Sequence, residues 1–222
     1  MTNWFEGMGA LIEALFANDS WMLSEAMRSP AVWPLGLAAT LIGGAAILLI
    51  YRASPFIERK LEPAVMVVSY FLIGAIIFVE VFRRFALDQQ APWSTTLPPF
   101  LFLIMTWVGC SYNVKLRTHL AFGEFRSVMP RPFQMACLTL DAVLWIGFSW
   151  VVIVTASKVT ANSAANFQIM LGTDNVLQWW FLISVPLSFL ILAARAMENW
   201  LRDLSAFVND RPLIEQAVIG GD

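Results

Sequence analysis

The chain has 222 residues, 59% of them hydrophobic and 14% charged, with a formal net charge of −2. Soluble domains are about 45–50% apolar and about 25% charged, so a water-soluble globule is excluded, and the near-neutral balance without a Lys/Arg-rich run leaves no electrostatic footprint for nucleic acid. The apolar residues fall in blocks of roughly twenty, the length that crosses about 30 Å of hydrocarbon as a helix.

An acidic, aromatic stretch comes first. In it Trp4, Phe5, Met8, Leu11, Ile12, Leu15 and Phe16 share one helical stripe, with Glu6 and Glu13 opposite. This pattern predicts an amphipathic helix in the headgroup plane, ended by Asn18-Asp19-Ser20 and separated from the next element by Ser29-Pro30. It lacks the short basic start of a cleavable signal peptide, and none is expected.

Five spans follow, predicted at 31–51, 64–82, 97–114, 132–157 and 176–194. Each is a continuous apolar run rather than the alternation of a barrel strand, so helices are expected. Pro186 is predicted to kink the last span. Between the third and fourth spans, 119–129 places Phe122, Phe125, Val128 and Met129 on one face and Glu124 and Ser127 on the other, predicting a second interfacial helix ended by Pro130 and Pro132. The fold class is therefore all-α integral membrane: a bundle of four core transmembrane helices, one extra N-terminal transmembrane helix, and amphipathic interfacial helices. The organisation expected is an interfacial segment over 1–30, the extra span and a loop over 31–62, the four-helix core over 63–204, and a tail over 205–222.

Lys and Arg set orientation. Alternate flanks of the five spans hold Arg52, Arg59 and Lys60, then Lys115, Arg117, Arg126 and Arg131, then Arg195, Arg202 and Arg211; the other three flanks hold only Arg28, then Arg83 and Arg84, then Lys158. The richer set belongs in the cytoplasm, which puts the N-terminus outside and the C-terminus inside. Trp33, Trp93, Trp179, Trp180 and Trp200 stand near block ends, as aromatic anchors do.

Reactive chemistry is sparse. Cys110 and Cys137 lie 27 positions apart inside apolar blocks and read as packing residues. A single histidine, His119, excludes a histidine-based metal cluster and reads as an interfacial hydrogen-bonding residue. No phosphate-binding loop, zinc motif or nucleophile elbow occurs, so neither a cofactor nor an enzymatic activity is expected. Ionisable groups in spans are the default functional candidates. Asp141 is the one well inside a span, as a packing hydrogen-bond partner or, alternatively, an ion-coupling group. Glu80 precedes Arg83 and Arg84 by three and four positions, which predicts a same-face ion pair. Such a chain reads as a supporting subunit: a transporter scaffold, an anchor for a respiratory enzyme, or an assembly factor.

The middle of the chain resembles the small permease (DctQ-type) subunits of tripartite ATP-independent periplasmic (TRAP) transporters. The resemblance rests on Glu80-Val81-Phe82-Arg83-Arg84-Phe85, Pro92-Trp93-Ser94, Trp107-Val108-Gly109-Cys110-Ser111, His119-Leu120, and Trp179 followed by Val185-Pro186, in that order over 64–204. In place of the acidic residues usual after Pro-Trp stands Ser94-Thr95-Thr96, and the span at 31–51 is additional to the family's four helices. The resemblance implies a bacterial inner-membrane uptake system in which a soluble periplasmic binding protein (DctP-type) captures an organic acid. A large, elevator-type permease subunit (DctM-type) then holds the substrate and sodium sites, and this chain enlarges the fixed scaffold. Arg83, Arg84, Trp93, His119, Asp141 and Pro186 would then be packing or partner-contact residues, and the partners would be those two proteins and membrane lipid. The alternative is a scaffold or anchor subunit of another, non-transport membrane complex.

Overall fold

The computed structural model describes residues 4–17, 19–117, 126 and 128–213. His119 and most of the expected helix at 119–129 lie outside the described residues. The helices are α1 (Trp4–Phe16), α2 (Ser20–Ala26), α3 (Val32–Ala53), α4 (Pro55–Ala86), α5 (Leu97–Leu116), α6 (Arg131–Ala165), α7 (Trp179–Leu182) and α8 (Ser184–Val208), with a 3-10 turn at Pro92–Thr95. Among the described residues five stretches are long and apolar enough to cross a membrane: Val32–Ala53, Pro55–Ala86, Pro92–Leu116, Arg131–Ala165 and Trp179–Val208. The all-α membrane fold expected from the sequence is the one observed.

Several helices overrun their apolar blocks. α4 begins at Pro55 rather than at residue 64, α6 runs on to Ala165, and α8 continues to Val208. Hydropathy marks where a helix leaves hydrocarbon, whereas Glu, Arg, Lys and Leu are good helix formers that carry it further into the polar layer. Pro63 lies inside α4 and has no N–H for the carbonyl four residues back. Pro186 stands beside an interruption of the last span: α7 and α8 are separated at Ile183, three residues before it, and Pro186, in the first turn of α8, has no N–H to offer the preceding turn. The Ser184 hydroxyl donates to the Phe181 carbonyl at 2.5 Å across that break.

α8 is the centre of the bundle. Half of its membrane-length window is buried, against 6% for α4. Phe189, Leu192, Ala193 and Ala194 of α8 are enclosed, and Phe189 meets Trp107 of α5 at 5.0 Å and Phe148 of α6 at 5.5 Å between ring centroids. α3 approaches α6 closely at Gly36, where a Cβ would lie 2.3 Å from the Val154 side chain; small residues permit such approaches between membrane helices. α4 is the reverse of a soluble helix. Its buried residues are Glu62 and Ser69, while Val67, Phe71, Phe78, Phe82 and Phe85 are exposed, as suits an apolar solvent.

α1 and α2 pack across one end of α3 and α6. Leu11 is 1% exposed in a cluster with Ala31, Val32 and Val154, whereas Ile12, Leu15 and Phe16 face outward. The single stripe expected on α1 is thus divided: one part docks on the bundle and the other stays free to meet lipid. Trp33 is more than a boundary anchor, since its carbonyl accepts from the Trp150 indole at 2.8 Å and its ring lies 5.4 Å from the Lys158 ammonium.

Candidate functional site: a buried charge cluster at one end of the bundle

Arg195 follows the small pair Ala193-Ala194 on α8 and is fully buried. A guanidinium has five N–H donors, and here all five are used. Nε donates to Glu62 Oε1 at 3.0 Å and Nη2 to Glu62 Oε2 at 2.8 Å, a two-pronged grip on one carboxylate. Nη2 also reaches the Glu58 carbonyl at 3.0 Å, and Nη1 donates to Glu198 Oε2 at 2.8 Å and Glu58 Oε1 at 3.2 Å. The Tyr51 ring of α3 lies 4.2 Å from the guanidinium carbon, a cation–π contact in a desolvated place.

Glu62 is as buried as Arg195, and the Ser111 hydroxyl of α5 sits 3.4 Å from it while donating to the Val108 carbonyl at 2.7 Å. Lys115 of α5 pairs with Glu58 Oε1 at 2.6 Å and donates to the Glu58 carbonyl at 2.9 Å. Arg202 holds the outer oxygen of Glu198 at 2.5 Å. Three cations (Arg195, Lys115, Arg202) therefore balance three carboxylates (Glu58, Glu62, Glu198), and the network joins α4, α5 and α8, with α3 touching it through Tyr51. A second layer lies further out along α8: Arg117 pairs with Asp203 at 2.7 Å, Asn199 donates to the Val114 carbonyl at 2.8 Å, and Arg131 pairs with Asp210.

This arrangement holds helices together; it has no vacancy for a ligand, because the donors and charges are spent on one another. No group of three metal-ligating side chains occurs among the described residues.

The residues singled out in the sequence are dispersed. Arg83, Arg84 and Trp93 lie at the opposite end of the bundle, where α4 turns into α5. The expected pair of Glu80 with Arg83 or Arg84 is not formed among the described residues; Glu80 instead accepts from the Ala91 N–H at 3.1 Å, satisfying a backbone donor of the α4–α5 connection. Gly172, in the 166–178 loop, packs directly on the backbone of Pro92 and Trp93. Asp141 is half-buried on α6, within electrostatic range of Asp203, and Pro186 starts α8. Sequence reasoning missed Arg195, Glu62 and Glu58. One signal could have found them: two carboxylates four apart on a helix repel unless a cation lies between, and Arg195 abuts an uncharged span.

The sequence pattern of the DctQ component of tripartite ATP-independent periplasmic transporters matches residues 73–206, more than half of the chain. The chain belongs to this family. It is also similar to the sialic acid TRAP transporter small permease protein SiaQ of Vibrio cholerae, at 22% identity over 166 residues that span 73% of this chain and 94% of that protein. The protein is thus the small subunit of a TRAP transporter, a transport component with multiple membrane spans. The DctQ match begins within α4 and ends in α8. It contains Arg195, Glu198 and Lys115 but neither Glu58 and Glu62 nor the additional helix α3, so the charge cluster joins the DctQ core to chain that precedes it.

Proposed function

We propose that this subunit is the fixed scaffold of a secondary, ion-gradient-driven TRAP importer and carries neither a substrate nor an ion site of its own. A large DctM-type permease subunit of the elevator kind would hold both, and a DctP-type periplasmic protein would deliver an organic acid; the organic-acid class draws on the sialic acid named for the SiaQ relative. The observation that carries the reading is the charge cluster around Arg195, in which every donor of a buried guanidinium is committed to fastening helices. Arg83, Arg84, Trp93, His119, Asp141 and Pro186 are assigned to packing or partner contact. Reconstituted alone, the chain should show no uptake; with its large subunit, binding protein, substrate and an inward sodium gradient, uptake should appear. Asp141→Asn should leave the sodium dependence of the assembled complex unchanged, and an altered sodium stoichiometry would place coupling in this subunit.

The N-terminus is assigned to the periplasm and the C-terminus to the cytoplasm, on the distribution of Lys and Arg. Leu171, at the tip of the 166–178 loop, is 80% exposed and suits labelling. With Cys110 and Cys137 replaced, an impermeant maleimide should label Leu171→Cys but not Ser205→Cys in whole cells. The opposite result would invert the topology.

A further inference from the structure

Beside the charge cluster, where α3 ends and α8 runs past it, lies a cleft of about 440 Å³ whose lining includes Arg52, Glu198, Leu201, Arg202, Ser205 and Arg211. Its charges are unevenly satisfied. Both oxygens of Glu198 are already taken, one by Arg195 and one by Arg202. Arg52 and Arg211 are exposed and pair with no carboxylate among the described residues, so the lining sets three guanidiniums, Arg52, Arg202 and Arg211, against the single carboxylate of Glu198. The Ser205 hydroxyl accepts from Asn209 at 3.3 Å and keeps its own proton to donate.

The surroundings are apolar on one side. Ile42, Ala45 and Leu49 form an exposed stripe along α3 at helical spacing, and Arg52 is the next residue on that stripe. A fork of donors at the foot of a lipid-facing apolar track, with Leu201 in the cleft itself, matches an amphiphile with an anionic head better than a small soluble ion. Guanidiniums grip phosphate oxygens with paired hydrogen bonds, and basic pockets between membrane helices favour anionic lipid heads. A zwitterionic head would bring an ammonium group into a cleft already in positive excess.

We propose that this cleft binds the phosphodiester headgroup of an anionic phospholipid, whose acyl chains lie along Ile42, Ala45 and Leu49. The site follows from the chain's place in a bilayer and is independent of which end faces the cytoplasm.

Native mass spectrometry of the full chain in non-ionic detergent, titrated with phosphatidylglycerol, phosphatidylcholine or inorganic phosphate, tests it. Phosphatidylglycerol should bind at least about tenfold more tightly than phosphatidylcholine. Arg52→Gln with Arg211→Gln should remove about tenfold of that affinity while thermal melting without lipid stays as in the parent, since neither guanidinium bonds another side chain among the described residues. Arg59→Gln with Lys60→Gln, exposed charges near the same end but outside the cleft, should leave binding unchanged. Equal binding of the two lipids, parent-like affinity in the Arg52/Arg211 variant, or an equal loss in the Arg59/Lys60 variant would overturn the proposal. Inorganic phosphate binding as tightly as the lipid, with the same dependence on Arg52 and Arg211, would assign the cleft to a soluble anion instead.

Discussion

Replacing Arg195 with methionine is expected to destabilise the subunit by about 3–5 kcal/mol, the cost of leaving a buried ionic partner uncompensated. The substitution removes all five hydrogen bonds of the guanidinium and leaves Glu62, which is fully buried, without a counter-charge. Glu58 and Glu198 lose less, because Lys115 and Arg202 still hold them. Arg195→Lys should recover part of the loss, since an ammonium restores the charge but has three donors and cannot form the two-pronged grip on Glu62. Glu62→Met alone should cost a similar amount, stranding the cation instead. The combination of Arg195→Met with Glu62→Met should be milder than the sum of the two, because it removes both members of the desolvated pair. Unfolding in detergent, followed by tryptophan fluorescence, measures each corner of this cycle. A single Arg195→Met variant within about 1 kcal/mol of the parent would mean that the cluster contributes little.

Gly172→Ala is expected to produce the second large effect, of roughly 2–6 kcal/mol, from two sources that act together. The residue has φ of +81°, in the left-handed region that costs a side-chain-bearing residue about 1–3 kcal/mol. An added Cβ would also lie 2.4 Å from the Pro92 carbonyl carbon and 2.7 Å from both the Pro92 oxygen and the Trp93 nitrogen. Those are backbone atoms that cannot rotate away, so the loop must lift, adding an overpacking cost of about 1–3 kcal/mol. The loop is pinned elsewhere by the Met170 N–H to the Val176 carbonyl at 2.8 Å and the Gln178 N–H to the Gln168 carbonyl at 2.9 Å. The damage should therefore remain at this end of the bundle. Amide hydrogen exchange should rise over 166–178 and 88–96 while the Arg195 end keeps its protection. Unchanged exchange in both segments would show that the contact with Pro92 and Trp93 is not needed to hold the loop.

The two sites contrast in how far the sequence discloses them. The spans, their number and the DctQ resemblance could all be read along the chain, because hydrocarbon imposes the same demand on every residue of a crossing helix and leaves a long, continuous record. Arg83, Arg84 and Trp93 were visible as a motif, but their neighbour Glu80 was expected to pair within its own helix and instead serves the backbone at Ala91. A spacing of three or four residues shows that two side chains can meet, not that they do, and an unpaired backbone N–H competes for the same carboxylate. Pro186, by contrast, is legible locally: the residue signals an interruption, and the span is interrupted at Ile183, three residues before it.

By itself the sequence determined that this protein is an all-α membrane subunit with five apolar spans, since composition and period are local properties. Only the tertiary structure decided that α8 is central, that α4 turns Glu62 and Ser69 inward, and that Arg195, Lys115 and Arg202 balance Glu62, Glu58 and Glu198 in one cluster. Glu62 and Arg195 are 133 positions apart. Whether two such charges meet depends on the rotation and depth of helices packed side by side, and those are set by the summed fit of small and aromatic residues such as Gly36, Ala194 and Phe189, which no local pattern records.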